Sequence, residues 1–268
     1  MILVDSHVHI HECYNLKDFL KYTFQNFSNH AAQIDDSVNW LGVLFLTEIN
    51  DVNYFDYLTD SKQKFNLEKF GYTIISTLEN NSFVISNKLK QKVIVIAGKQ
   101  IIAQNGIEIL ALGTRNNFVE KEKLNLTIEK IIESNSVSVI PWGVGKWLGK
   151  RKDIIQKFLG DFKDIPFFLG DNSGRPNIWP EPHLFNLGSK MGKLVLPGTD
   201  ALAITKEVSK TGSYGFYFNE DISLEKPYES VSTYLYNLKE QPNYFGKLET
   251  PFRFLKNQFT MQKQKHFK

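Results

Sequence analysis

The chain has 268 residues, 42% of them hydrophobic, which is enough to bury a large core, and one domain over 1–268 is expected. Its formal charge of +3 is small and its Lys, Arg, Asp and Glu are interspersed, so no basic stripe for nucleic acid is visible. A single cysteine, Cys13, excludes an internal disulfide framework, and no run approaches the ~18 apolar residues of a membrane span.

Read in order, strand-like apolar runs fall at 2–9, 41–47, 72–76, 93–97, 107–112, 137–140, 167–169 and 194–196. No basic and apolar leader stands ahead of the first run, so a cytoplasmic protein without a membrane partner is expected. Between the runs, 15–27, 126–134 and 153–159 have helical apolar spacing, with Asn15 and Asp153 placed to cap. Strands alternating with helices predict parallel strands joined by crossovers, and hence an α/β fold in the form of a closed or nearly closed βα barrel. In such barrels the loops after the carboxyl ends of the strands build the site. Those loops hold Thr47-Glu48-Ile49-Asn50-Asp51, Gly98-Lys99-Gln100, Pro141-Trp142-Gly143-Val144-Gly145-Lys146-Trp147, Gly170-Asp171-Asn172-Ser173-Gly174-Arg175 and Pro197-Gly198-Thr199-Asp200. Segment 203–225, with Lys210, Ser213 and Tyr214 near Gly212 and Gly215, is expected to close over the mouth as a lid. The basic tail 257–268, carrying Lys263, Lys265, His266 and Lys268, is expected to fray in solvent.

The first run ends in Asp5-Ser6-His7-Val8-His9-Ile10-His11, which holds three of the six histidines. Strand alternation puts these histidines on one face with Asp5. Imidazoles two residues apart, about 7 Å along a strand, can turn onto one cation or one anionic group. Around them stand cations: Lys99, Lys146 in a Gly-x-Gly-Lys setting, and Arg175, whose fork suits phosphate or carboxylate. Two readings stand for these: an anion site, or solvated surface charge. Trp142, Trp147 and Trp179 likewise read either as stacking platforms or as packing. No G-x-S-x-G elbow and no phosphate or dinucleotide loop in the expected form is present, so serine-hydrolase, kinase and dehydrogenase chemistry falls behind.

Over residues 1–205 the motif order resembles the polymerase and histidinol phosphatase (PHP) family of metal-dependent phosphoesterases. Asp5-Ser6-His7-Val8-His9 looks like that family's D-x-H-x-H, and Pro197-Gly198-Thr199-Asp200-Ala201-Leu202 like its G-S-D-A-H. Glu48 stands for an aspartate and Ile49 for a histidine, Gln100 for a bridging glutamate, Glu108 for a histidine, and Trp142 lies where a ligand histidine is absent. The resemblance implies a PHP-like distorted seven-stranded, TIM-type barrel with a reduced metal site. His7, His9 and Asp200 would be its ligands, with one or two Zn, Mn or Fe ions at most. The amidohydrolase superfamily is also similar in its H-x-H and late aspartate, and Lys99 imitates its bridging lysine.

The resulting expectation is a metal-dependent, phosphoesterase-like hydrolase acting on an anionic small molecule, with Asp200, Glu48 and Glu108 as catalytic carboxylates. Lys99, Gln100, Trp142, Lys146, Asp171 and Arg175 would bind the ligand. The alternatives are a non-catalytic PHP-like barrel that binds an anionic ligand or partner, and an amidohydrolase-like metal hydrolase.

Overall fold

A computed structural model describes residues 1–35, 37, 39–49 and 51–266; Asn50 and Lys268, both read in the sequence, lie outside the described residues. Twelve strands make two mixed sheets. The strands are β1 (Ile2–Val8), β2 (Leu41–Leu46), β3 (Tyr72–Ser76), β4 (Ser82–Asn87), β5 (Lys92–Ile96), β6 (Gly98–Ile102), β7 (Glu108–Leu112), β8 (Val137–Pro141), β9 (Phe168–Asn172), β10 (Val195–Gly198), β11 (Tyr214–Phe218) and β12 (Asn243–Gly246). The helices are α1 (Leu16–Asp35), α2 (Tyr54–Thr59), α3 (Ser61–Lys69), α4 (Leu124–Glu133), α5 (Lys150–Asp161), α6 (His183–Lys190), α7 (Pro227–Asn237) and α8 (Pro251–His266). Asn15 caps α1, its Oδ1 accepting from the Lys17 amide at 2.9 Å. Asp153 does not cap α5: it lies inside the first turn, and its amide donates to the Gly149 carbonyl.

The closed TIM-type barrel expected from the sequence is corrected by the strand order. One sheet runs β12-β11-β1-β2-β5-β4-β3 and the other β10-β9-β8-β7-β6, with antiparallel pairs within both. The fold is α/β, but its sheets do not join into one closed barrel. Inward residues of both meet in a shared core of Val4, Val43, Ile94, Leu110, Val139, Leu196 and Phe216, which Val231 and Leu235 of α7 also enter. On its other face the first sheet packs Leu3 and Leu44 on Phe19, Phe24 and Phe27 of α1, while the second packs Ile109, Ile140 and Leu169 on α4, α5 and α6. Burial on both faces explains why β1 and β2 read as near-continuous apolar runs.

Two segments read as loops are strands. Lys99 and Gln100 lie in β6, where the chain leaves the first sheet for the second through Ala97. Gly98 permits that crossing, because a Cβ there would stand 2.4 Å from the Leu46 carbonyl oxygen and 2.8 Å from that of Ala111. The lid expected over 203–225 carries β11, which pairs antiparallel with β1 and buries Phe216 completely. A strand in the middle of a sheet is wall, not lid. The tail expected to fray continues α8 as far as His266.

At the carboxyl end of β1 the alternation assumed from the sequence breaks. The register with β2 shifts between Asp5 and Val8, so Asp5 stays on the side of Leu3 while His7 turns to the opposite one. Asp5 is fully buried and accepts from four donors: the His7 amide at 3.3 Å, the Thr199 amide at 2.7 Å, the Gly212 amide at 3.0 Å and the Thr199 hydroxyl. It thereby ties β1 to the segments after β10 and before β11. Burial pushes its carboxyl up from the ordinary 3.8 to about 6, against the pull of those donors. A carboxyl with a higher pKa in the folded state binds its proton more tightly there, so its contribution to stability falls as pH rises from 3.8 to about 6.

Asp5→Asn offers these donors one acceptor oxygen instead of two, and each buried donor left unpaired costs about 1–3 kcal/mol. Its thermal midpoint is expected to drop by about 5 °C or more at neutral pH. The gap in stability between wild type and variant, measured by urea denaturation, should widen as pH falls through this window. A gap independent of pH would sink the account of Asp5.

Candidate metal centre

The shift in β1 sends His7 and His9 to where the two sheets approach each other. On one side the Glu48 amide donates to the Gly98 carbonyl and the Gln100 amide to that of Glu48. On the other, the Asp200 amide donates to the His7 carbonyl at 2.8 Å and the Ser6 hydroxyl to the Pro197 carbonyl at 2.9 Å. Gly198 makes this second approach possible, since a Cβ there would lie 2.4 Å from the His7 nitrogen. Asp200 has a φ of +47°, in the left-handed region, a conformation Asp tolerates better than most residues and one that recurs at functional sites.

Four donor atoms converge. His7 Nε2 lies 3.1 Å from His9 Nε2 and 3.2 Å from Gln100 Oε1, and both imidazole nitrogens lie 3.5 Å from Asp200 Oδ1. Two donors on one tetrahedral ion at ~2.1 Å stand about 3.4 Å apart, so these separations are edge lengths of a coordination shell. Two imidazoles, a carboxylate and an amide oxygen suit Zn, Mn or Fe. His7, His9 and Asp200 also meet as a group able to hold an ion. The histidine side chains are 4% and 12% exposed and that of Asp200 27%, so the group is walled by protein and opens on the Asp200 side.

Electrostatics favour the metal-binding protonation states. Burial, with His7 beside it, pushes the His9 imidazole down to about 3, so it stays neutral with a lone pair free for an ion. Burial would raise the Asp200 carboxyl, but His7, His9, His11 and Lys146 outweigh it and hold the group below the usual carboxylate range. Behind Asp200 stands Asn172, whose Nδ2 donates to Asp200 Oδ2 and to the Trp142 carbonyl, both at 2.9 Å, while its Oδ1 accepts from the Gly174 amide at 3.1 Å. Held on both sides, this amide keeps one Asp200 oxygen engaged and leaves Oδ1 facing the histidines.

The other candidate residues are engaged elsewhere. Glu48 accepts from Lys99 Nζ at 3.1 Å and from the Phe55 amide at the start of α2 at 2.8 Å. Glu108 pairs with Lys146. Arg175 forks onto Asp171, Nε to Oδ1 at 2.9 Å and Nη2 to Oδ2 at 2.7 Å, and the Tyr214 hydroxyl adds a third bond at 3.1 Å. Glu48, Glu108 and Asp171 therefore neutralise cations, and Lys99, Lys146 and Arg175 are not free for an anion. His11 turns its Nε2 to the Ala201 carbonyl at 2.9 Å. Trp142 and Trp147 are buried in the outer core of the second sheet, whereas Trp179 is 41% exposed. The sequence points to Asp171, but period-two alternation in β9 turns Asp171 and Asn172 to opposite faces, and it is Asn172 that reaches Asp200.

No family model matches the chain, and no curated protein does either. Among solved structures it is similar to the crystal structure of PsfC from Pseudomonas syringae PB-5123, at 10% identity and a TM-score of 0.51, with 98% of each chain covered. That likeness is one of fold alone.

Asn172→Ala removes a support of Asp200 without touching a donor atom. Loss of such outer support typically weakens metal affinity about 10- to 100-fold. Titration with Mn or Zn followed by calorimetry is expected to show a loss of that size with the fold retained by circular dichroism; unchanged affinity would leave Asn172 no part in the site.

Proposed function

We propose that the chain is a metal-dependent hydrolase of the phosphoesterase kind, acting on an anionic small molecule, as its resemblance to the PHP family implies. The observation that carries this reading is the convergence of His7 Nε2, His9 Nε2 and Asp200 Oδ1 within 3.5 Å, on the side where Asp200 meets solvent. When bound, a divalent ion supplies the charge that acidifies water and polarises a phosphoryl or acyl oxygen. The chain's own residues do the rest. His7 and His9 present imidazole nitrogens, that of His9 kept neutral by burial, Gln100 adds an amide oxygen, and Asp200, held ionised, is placed to orient water and accept its proton. Walls of buried side chains around His7 and His9 limit solvent to the Asp200 side.

The two alternatives have less support. An anion-binding protein without catalysis needs unpaired cations, and Lys99, Lys146 and Arg175 each face a carboxylate. An amidohydrolase-like site needs Lys99 at the metal, and its ammonium is held by Glu48.

Elemental mass spectrometry of protein purified without chelator is expected to find about one equivalent of transition metal. His7→Ala and Asp200→Ala should each lose the metal, and with it about 100-fold or more of any phosphoesterase turnover found by screening wild type. A wild-type protein that stays metal-free after addition of Mn or Zn overturns the proposal.

A further inference from the structure

The last helix carries a surface that the hydrolase reading does not use. From Thr250 to Lys268 the sequence holds Arg253, Lys256, Lys263, Lys265 and Lys268 and no acidic residue. Basic composition alone says little, but the structure adds where the apolar residues go. In α8, Phe252 is 80% exposed, Leu255 55% and Phe259 65%, spaced at three and four residues and therefore on one face. Helical rotation puts Lys256 and Lys263 within the same arc, between and beyond the two phenylalanines. The opposite side is committed to the protein: Asn257 is buried, and Phe254 packs on Trp179 with ring centroids 5.1 Å apart.

Three further contacts fix the start of the helix. Glu249 forms a bridge with Pro176, and it exchanges backbone hydrogen bonds with Arg175 and Asn177. Its carboxylate and that of Glu207, both buried, pair with Lys210 and with the exposed Arg253. Trp179, in the loop joined to this end, packs on Phe254 and so holds the protein-facing side of the helix. Among the described residues, none covers Phe252 or Phe259.

We propose that α8 is a docking surface for an anionic lipid bilayer, lying along the interface with Phe252, Leu255 and Phe259 inserted and Lys256 and Lys263 at the headgroups. Exposed apolar side chains share this face with positive charge, and a long lysine stem lets its ammonium reach anionic headgroups while the rings beside it enter the acyl boundary. Charge decides against a second copy of the chain as occupant, since an isologous contact would set two acid-free basic helices against each other. No helix among the described residues is long and apolar enough to cross a membrane, and a surface-lying helix needs no such length.

The test is co-sedimentation of the full chain with vesicles of phosphatidylcholine alone and with about 30% phosphatidylserine added. Binding is expected to be about tenfold tighter to the anionic vesicles and to weaken as salt is raised. Phe252→Ser combined with Phe259→Ser changes only exposed positions, so circular dichroism should be unchanged while vesicle binding drops about tenfold. Lys256→Gln combined with Lys263→Gln should remove the preference for phosphatidylserine. Absence of binding, or equal binding to both vesicles, overturns the proposal. So does a wild-type dimer in light scattering that the phenylalanine variant converts to monomer, which would assign the face to a second copy.

Discussion

Asp5 is the constraint on which the rest of the site depends. Its carboxylate lies in the interior and takes donors from three separate stretches of chain: the His7 amide, both groups of Thr199, and the Gly212 amide. A buried carboxylate is tolerated only when its lone pairs are satisfied, so those stretches are held to one another by the cost of leaving it unpaired. Because His7 is two residues after Asp5 and Asp200 is next to Thr199, the same bonds that stabilise the interior set the separation between the histidines and the late aspartate. Asp5, which opens the motif that resembles D-x-H-x-H, is on this geometry a fastener behind the site.

Ion pairing dominates the surroundings. Each cation near the opening faces a carboxylate: Lys99 with Glu48, Lys146 with Glu108, Arg175 with Asp171. The two buried pairs, Lys99 with Glu48 and Arg175 with Asp171, contribute little net stability, but breaking one by removing a single partner is expensive. They fix the walls and leave Asp200 as the carboxylate beside the two imidazoles. The field at the opening is thus closer to neutral than a count of lysines and arginines along the loops suggests.

The sequence made much of this legible, and unevenly. The runs at 41–47, 93–97 and 137–140 each coincide with a strand because apolar stretches bounded by polar residues have few other ways to be buried. Pairing direction is not written in such runs, and that is where the barrel expectation failed. Four strands, β4, β6, β11 and β12, escaped, the last three for distinct reasons. β6 starts at a glycine and carries Lys99 and Gln100, which look like loop chemistry until the second sheet covers them. β11 holds Tyr214 and Phe216 in an alternating pattern, but its position after the Asp200 loop suggested a cover rather than a partner for β1. β12 is short and mostly exposed, so it gives almost no periodic signal. At the site, His7, His9 and Asp200 were readable as residue types at fixed places; that Asp5 faces away from them depends on a one-residue irregularity in a strand, which no alternation rule predicts.

The pairing of β1 with β11 has a consequence in time. Ile2 lies opposite Phe218, so β1 finds its antiparallel neighbour only after the long stretch between them has been synthesised. At about 5–20 residues per second, the apolar residues of β1 wait on the order of ten seconds or more with one edge unsatisfied. His7 and His9 are made long before Thr199 and Gly212, on which their geometry depends, so the centre forms late relative to β1. Non-local closure of this kind slows folding and exposes an apolar edge to other chains meanwhile. Yield of folded protein should therefore depend on how well that first strand is shielded until its partner arrives.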